Sequence, residues 1–216
     1  MKDFYDEFLL YLKEENRKKA LDLIIKKLND REIDIVTLYT KVLTPSLNEF
    51  KEDQGDGYYI WKEHVRSSII RTIIENCYPY VIKERDSKYG IQTNKRVAIV
   101  CPAEEYHEIG ARMITDFFTL AGYDSIFVGS NTPTKEFLNA LEKIDLDYIS
   151  ISVSNYYNLI GTYRAIEEIK RTENKVNIIV GGNAFKNNRV DYKELGADMQ
   201  LNTFEDILDL AKEDRK

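Results

Sequence analysis

The feature that most constrains this chain is a change of hydrophobic period near residue 90. Over the first 85 or so residues apolar side chains recur at helical spacing, as in Ala20, Leu21, Leu23, Ile24, Ile25 and Leu28, and Pro45 is the one proline before Pro79. Breaks near Glu15-Asn16, at Asn29-Asp30 and at Asp53-Gln54-Gly55-Asp56-Gly57 divide this half into four helices, expected at about 2–13, 17–29, 33–51 and 58–85. Residues 86–94, Asp-Ser-Lys-Tyr-Gly-Ile-Gln-Thr-Asn, lose that period and gather turn formers. Beyond them, β-rich runs at 96–101, 125–129, 148–153, 176–181 and 198–201 alternate with amphipathic stretches. The reading is therefore α plus α/β. A helical bundle domain spans 1–85, a linker 86–94, and a five-stranded, parallel, doubly wound domain of flavodoxin-like type 95–216.

Composition excludes several classes. No apolar run approaches the roughly 18 residues that a membrane-spanning helix needs, and the opening Met-Lys-Asp-Phe-Tyr-Asp-Glu lacks a signal peptide's apolar stretch, so a cytoplasmic location is expected. Net charge of -6 opposes direct nucleic-acid binding. Cys77 and Cys101 are too few for a disulfide framework and lack zinc spacing.

In an open parallel sheet ligands bind beyond the carboxyl ends of the strands, where strand order reverses. The loop after the first strand reads Pro102-Ala103-Glu104-Glu105-Tyr106-His107-Glu108-Ile109-Gly110, the third strand ends in Ser152-Val153-Ser154, and the fourth ends in Gly181-Gly182. There is no phosphoacceptor aspartate at the end of the third strand, as a phosphorylated receiver requires. The first loop is acidic where a flavin phosphate would need hydroxyls and N–H groups, and no GxGxxG fingerprint occurs. No nucleophile and base pair or pair of catalytic carboxylates emerges, so no enzymatic activity is expected of the chain on its own.

Glu105-x-His107-x-x-Gly110, joined to Ser152-x-Ser154 and Gly181-Gly182, resembles the cobalamin-binding fold of methionine synthase, corrinoid methyl carriers and light-sensing cobalamin regulators. The resemblance implies adenosylcobalamin or methylcobalamin in the cleft between the helical cap and the sheet domain. It also implies His107 as the lower ligand to cobalt, displacing the cofactor's own base, with Glu105 orienting the ring. The displaced nucleotide tail would lie in a slot left by Ser152, Ser154, Gly181 and Gly182. Glu105 stands where most relatives have aspartate, which suggests a looser bond to His107. Tyr106 lies on the same rim.

The pair Glu63-His64 resembles a Glu-His pair of the light-sensing branch that contacts the upper ligand. However, Asp53 and Gln54 stand where those photosensors have tryptophan and histidine. The resemblance leaves three functions: a cobalamin-dependent sensor or regulatory module, favoured on Glu63-His64; a corrinoid carrier subunit of a methyltransferase system; and an interaction protein that has lost the cofactor. The expected partner is another protein or a second copy of the chain.

Overall fold

The computed structural model describes residues 2–48, 57–90, 92–173, 175–186 and 190–215. The chain divides into two compact units, 1–84 and 85–216.

In the first unit, α1 (Lys2–Lys13) buries Phe4, Phe8 and Leu12, and α2 (Arg17–Asn29) buries Ala20, Ile24 and Leu28. Four-residue spacing puts each set on one stripe of its helix. Asn16, where the sequence marks a break, caps α2 by accepting the Lys19 N–H at 3.1 Å. The third expected helix, 33–51, is instead composite. A short α3 (Ile35–Thr37) passes into a widened turn over Leu38–Leu43, which leads into α4 (Thr44–Asn48); residues 49–51 lie outside the described residues. Pro45 supplies the reason. It has no N–H to bond the carbonyl four residues back and its ring crowds that carbonyl, so the backbone widens and the Thr44 N–H bonds Tyr39 O, five residues back.

The long α5 (Tyr59–Glu84) buries Ile69, Ile70, Ile73, Ile74, Cys77 and Val81. Polar ties hold it to the preceding segments: Arg66 Nη1 donates to Ser46 O at 2.9 Å, the Tyr80 hydroxyl donates to Asn29 Oδ1 at 2.9 Å, and Glu84 Oε2 accepts the Ile35 N–H at 2.9 Å. Residues 86–89, expected as linker, continue with Arg85 as one more widened helical turn (Arg85–Tyr89), which Gly90 ends at φ +57°. This turn packs within the second unit: Tyr89 meets Phe204 edge-on at 5.4 Å, and Arg215 Nη2 donates to Gly90 O at 2.9 Å.

The second unit is a five-stranded parallel sheet of β1 (Arg96–Pro102), β2 (Asp124–Thr132), β3 (Tyr148–Ser152), β4 (Asn177–Gly181) and β5 (Met199–Gln200), ordered β2-β1-β3-β4-β5. The helices α6 (Ile109–Leu120), α7 (Thr134–Leu141), α8 (Leu159–Lys170) and α9 (Phe204–Asp214) connect and follow the strands. Continuous burial along β1 and β3 is what a parallel sheet covered on both faces demands. The edge strand β2 runs three residues past its expected end because Gly129, at φ +114°, takes up register shifts against Val100 and Pro102.

At the opposite end of the sheet, the Tyr123 and Tyr148 hydroxyls both donate to Asp214, at 2.6 and 2.8 Å, and anchor the end of α9. Burial, reinforced by that carboxylate, pushes both phenols well above their ordinary range. Among the described residues no helix is long and apolar enough to cross a membrane.

After β1 the chain first builds β2 on one side and then crosses to β3 on the other. The carboxyl ends of β1 and β3 therefore diverge into loops that face one another, which is the switch point where this architecture binds ligands.

Candidate functional site

The loop leaving β1 is pinned before it reaches His107. Glu104 adopts φ +66° and its N–H donates to Asn131 Oδ1 at 2.8 Å; Asn131, at φ +49°, donates its own N–H to Glu105 O at 2.9 Å. Two non-glycine residues in the left-handed region, one in the loop after β1 and one at the end of β2, tied to each other, mark backbone strain held by its surroundings.

This brace places the Glu105 side chain fully out of solvent. Oε1 faces the His107 ring, with Nδ1 at 2.6 Å, and also accepts the His107 N–H at 3.1 Å. Oε2 accepts the N–H groups of Ser154 at 2.9 Å and Asn155 at 2.8 Å, and Asn158 Nδ2 at 3.1 Å. Burial by itself would raise the Glu105 carboxyl. The Asn155 N–H, the two His107 donors and the Asn158 amide outweigh it and hold the carboxyl below the ordinary glutamate range. With Glu105 ionised, the shared proton of the neutral ring belongs on Nδ1, so Nε2 keeps its lone pair. The His107 side chain is 66% exposed, so that lone pair is accessible. The looser contact expected of a glutamate is not what the structure has.

Cys101 lies beneath the loop, its Sγ 3.8 Å from His107 O. Burial, aided by the charges of Glu105 and Glu108, pushes its thiol up to about 12, so it is a neutral packing residue. Gly110 opens α6, and a Cβ there would meet no protein atom within 4 Å. Packing inside the protein therefore does not demand glycine at this position.

The double glycine is different. Gly181 pairs in register with Ser152, which is buried, and a Cβ on Gly181 would sit 3.0 Å from Leu201 O. Gly182, at φ +108°, would place a Cβ 2.4 Å from Val153 O. The backbone after β4 thus lies directly against the backbone after β3, with the Val153 N–H donating to Gly181 O at 2.9 Å and the Ala184 N–H to Val153 O at 3.1 Å.

Of the residues singled out from the sequence, Glu105, His107 and Ser154 are joined by hydrogen bonds, Ser154 through its N–H. Ser152, Gly181 and Gly182 adjoin them by strand register, and Tyr106 is exposed beside His107. Glu63 and His64 belong to the helical unit. Both are substantially exposed, with His64 Nε2 3.7 Å from Glu63 Oε2, and His64 lines an open hollow of about 410 Å³ with Ile60, Trp61, Val65 and Ser68. Asp53 and Gln54 lie outside the described residues. The sequence does not single out Asn131, near the end of β2, or Asn155 and Asn158, in the loop after β3, because asparagines beside element ends carry only an ordinary turn or cap signal.

Among the described residues no group of three or more His, Cys, Asp or Glu is disposed to hold a metal ion. The B12 binding domain matches residues 95–212, more than half of the chain. The chain belongs to the B12-binding domain family. It is a corrinoid-binding protein and its cofactor is a cobalamin.

This B12-binding chain is 27% identical over 136 residues to dimethylamine corrinoid protein 1 of Methanosarcina mazei, a match that covers 61% of the chain and 62% of that relative. The chain therefore matches less than two thirds of the relative's length. The structure of a Methanosarcina barkeri monomethylamine corrinoid protein superposes with a TM-score of 0.75 at 15% identity, covering 98% of each chain. A methanol:cobalamin methyltransferase complex from the same organism superposes with a TM-score of 0.50 at 14% identity, covering 98% of this chain and 79% of the other. These two likenesses show the shared fold.

The depressed Glu105 carboxyl has a pH consequence. A carboxyl whose folded pKa lies below its unfolded value contributes stability that is fully present above the unfolded value, and that is lost as pH falls through the folded one. In thermal melts of the unloaded protein, the advantage of wild type over Glu105→Gln is expected to be constant near neutrality. It should shrink only below about pH 4.5, the ordinary glutamate value. An advantage unchanged down to pH 3 would contradict an ionised, hydrogen-bonded Glu105.

Proposed function

We propose that this protein is a corrinoid methyl carrier that holds cobalamin with its own base displaced and with His107 Nε2 as the lower axial ligand. The observation that carries the reading is the 2.6 Å contact between buried Glu105 and exposed His107, which fixes the tautomer and leaves one nitrogen free to bind a metal. When bound, cobalamin supplies a cobalt that can accept and release a methyl group. The protein's residues orient the donor nitrogen, keep a negative charge behind the imidazole, and give the displaced tail a path along small residues. In this reading Ser152, Ser154, Gly181 and Gly182 line that path, Gly110 leaves room beside His107, and Tyr106 borders the corrin.

The carrier is preferred to the sensor because the curated relative is a dimethylamine corrinoid protein. On this proposal a separate methyltransferase is the protein partner. Glu63 and His64 keep the role that the resemblance implies, contact with the upper ligand; their exposure is compatible with it.

The purified chain, loaded in the dark with methylcobalamin or adenosylcobalamin, distinguishes the two functions by its visible spectrum and size-exclusion profile before and after green illumination. A carrier binds methylcobalamin tightly and keeps one assembly state throughout. Preference for adenosylcobalamin, with a light-dependent change of size, would overturn the carrier in favour of a sensor.

A further inference from the structure

Pro102–Glu105 form a tight turn, closed by the Glu105 N–H donating to Pro102 O at 3.0 Å. Its third residue, Glu104, stands at φ +66°, the place where a type II turn ordinarily has glycine. A side chain disfavours that conformation, so contacts from outside the turn have to hold it.

Asn131 supplies them from the end of β2. The next residue, Thr132, pairs in register with Pro102, so Asn131 lies level with the start of the turn. Asn131 Oδ1 accepts the Glu104 N–H at 2.8 Å and its own N–H donates to Glu105 O at 2.9 Å, which brackets the two glutamates on either side. Asn131 sits at φ +49°, a region where asparagine is several-fold enriched among non-glycine residues. Both of these bonds are to backbone. Neither involves the Glu105 carboxylate or the His107 ring.

Glu105 is therefore fixed at both ends of its main chain, through its N–H to Pro102 and through its carbonyl to Asn131. That sets the direction in which its side chain leaves the backbone, into the buried position from which Oε1 meets His107 two residues on. Were the turn at Glu104 to relax, the carboxylate would be withdrawn from the ring without any change in its own hydrogen-bond donors.

We propose that Asn131 is a positioning residue for His107 that acts through the backbone: it locks the turn at Glu104, so that the Glu105 carboxylate enters the protein and holds His107 in the Nδ1–H form. The inference rests on the proposed ligation by His107 only for its effect on the cofactor. Its effect on the turn and on the imidazole is a property of the unloaded protein.

Two variants test it. Asn131→Gly keeps the left-handed backbone and the main-chain N–H but removes Oδ1, whereas Asn131→Asp keeps an acceptor in its place. Asn131 is exposed, so both should fold as wild type does. Amide hydrogen exchange reads the turn, and a long-range ¹H–¹⁵N spectrum of histidine-labelled, unloaded protein reads the imidazole, with His107 signals identified by their loss in His107→Ala. Wild type and Asn131→Asp are expected to protect the Glu104 amide and to show one Nδ1–H tautomer. Asn131→Gly is expected to lose roughly 5-fold in that protection, the equivalent of one hydrogen bond, and to show mixed tautomers. It should also bind hydroxocobalamin about 10-fold more weakly, the lower end of the range for residues behind a metal ligand. A single Nδ1–H tautomer and unchanged affinity in Asn131→Gly would overturn the proposal, and so would an Asn131→Asp variant as impaired as Asn131→Gly. Mixed tautomers in Asn131→Gly alone, with a wild type that binds cobalamin without histidine on cobalt, would uphold Asn131 and sink the axial-ligand reading instead.

Discussion

His107→Ala is expected to lower cobalamin affinity by about 100-fold or more, beyond the roughly 10- to 100-fold that loss of a residue behind a ligand usually costs. The variant should fold as wild type does, because the ring is 66% exposed and makes its side-chain hydrogen bond to a carboxylate that four other donors already serve. Any cobalamin it retains should show the spectrum of a cofactor with water or its own base below cobalt. Spectrophotometric titration with hydroxocobalamin measures both quantities. An unchanged spectrum together with unchanged affinity would remove His107 as a ligand.

The second large effect is on stability. Gly182→Ala is expected to destabilise the protein by about 3 kcal/mol or more, since it combines a left-handed backbone, costing roughly 1–3 kcal/mol for a non-glycine residue, with a methyl group 2.4 Å from Val153 O. That corresponds to a fall in Tm of roughly 10 °C for a unit of this size. Gly110→Ala is the contrasting case. It lies in the first turn of α6, where alanine is the better helix former by up to about 1 kcal/mol, and its methyl would enter open space. Gly110→Ala should leave Tm unchanged or raised and act, if at all, on cofactor binding. Thermal melts of the two unloaded variants separate a glycine that the fold requires from one that it does not.

The contrast shows how much of the site could be read from the chain. Glu105, His107 and Gly110 are contiguous, so a short motif displays them, and the alternation of strands and helices places that motif at the switch point. Asn131, at the end of β2, and Asn155 and Asn158, in the loop after β3, meet the acidic loop only where distant parts of the chain converge, and none of them stands out locally. Their hydrogen bonds to the acidic loop depend on strand order, which no local pattern encodes.

The same division holds for the fold. The four-residue stripes of α1 and α2 and the apolar runs of β1 and β3 are local, and the elements fall within a residue or so of where those patterns put them. The widened turn before Pro45 and the extension of β2 past Gly129 come from competition between backbone hydrogen bonds and neighbouring elements, which hydrophobic period does not register. The sequence favours a sensor over a carrier on the Glu63-His64 pair in the helical unit and on glutamate rather than aspartate at 105. Similarity to a dimethylamine corrinoid protein over 136 residues weighs more.

Electron paramagnetic resonance of the chain loaded with cob(II)alamin tests the central claim most directly, because the unpaired electron on cobalt is split by the nucleus of whichever nitrogen binds from below. In protein labelled with ¹⁵N at histidine alone and loaded with unlabelled cofactor, the axial-ligand account predicts the doublet splitting of a ¹⁵N ligand, lost in His107→Ala. A triplet from the cofactor's own ¹⁴N base, or no nitrogen splitting, would contradict it.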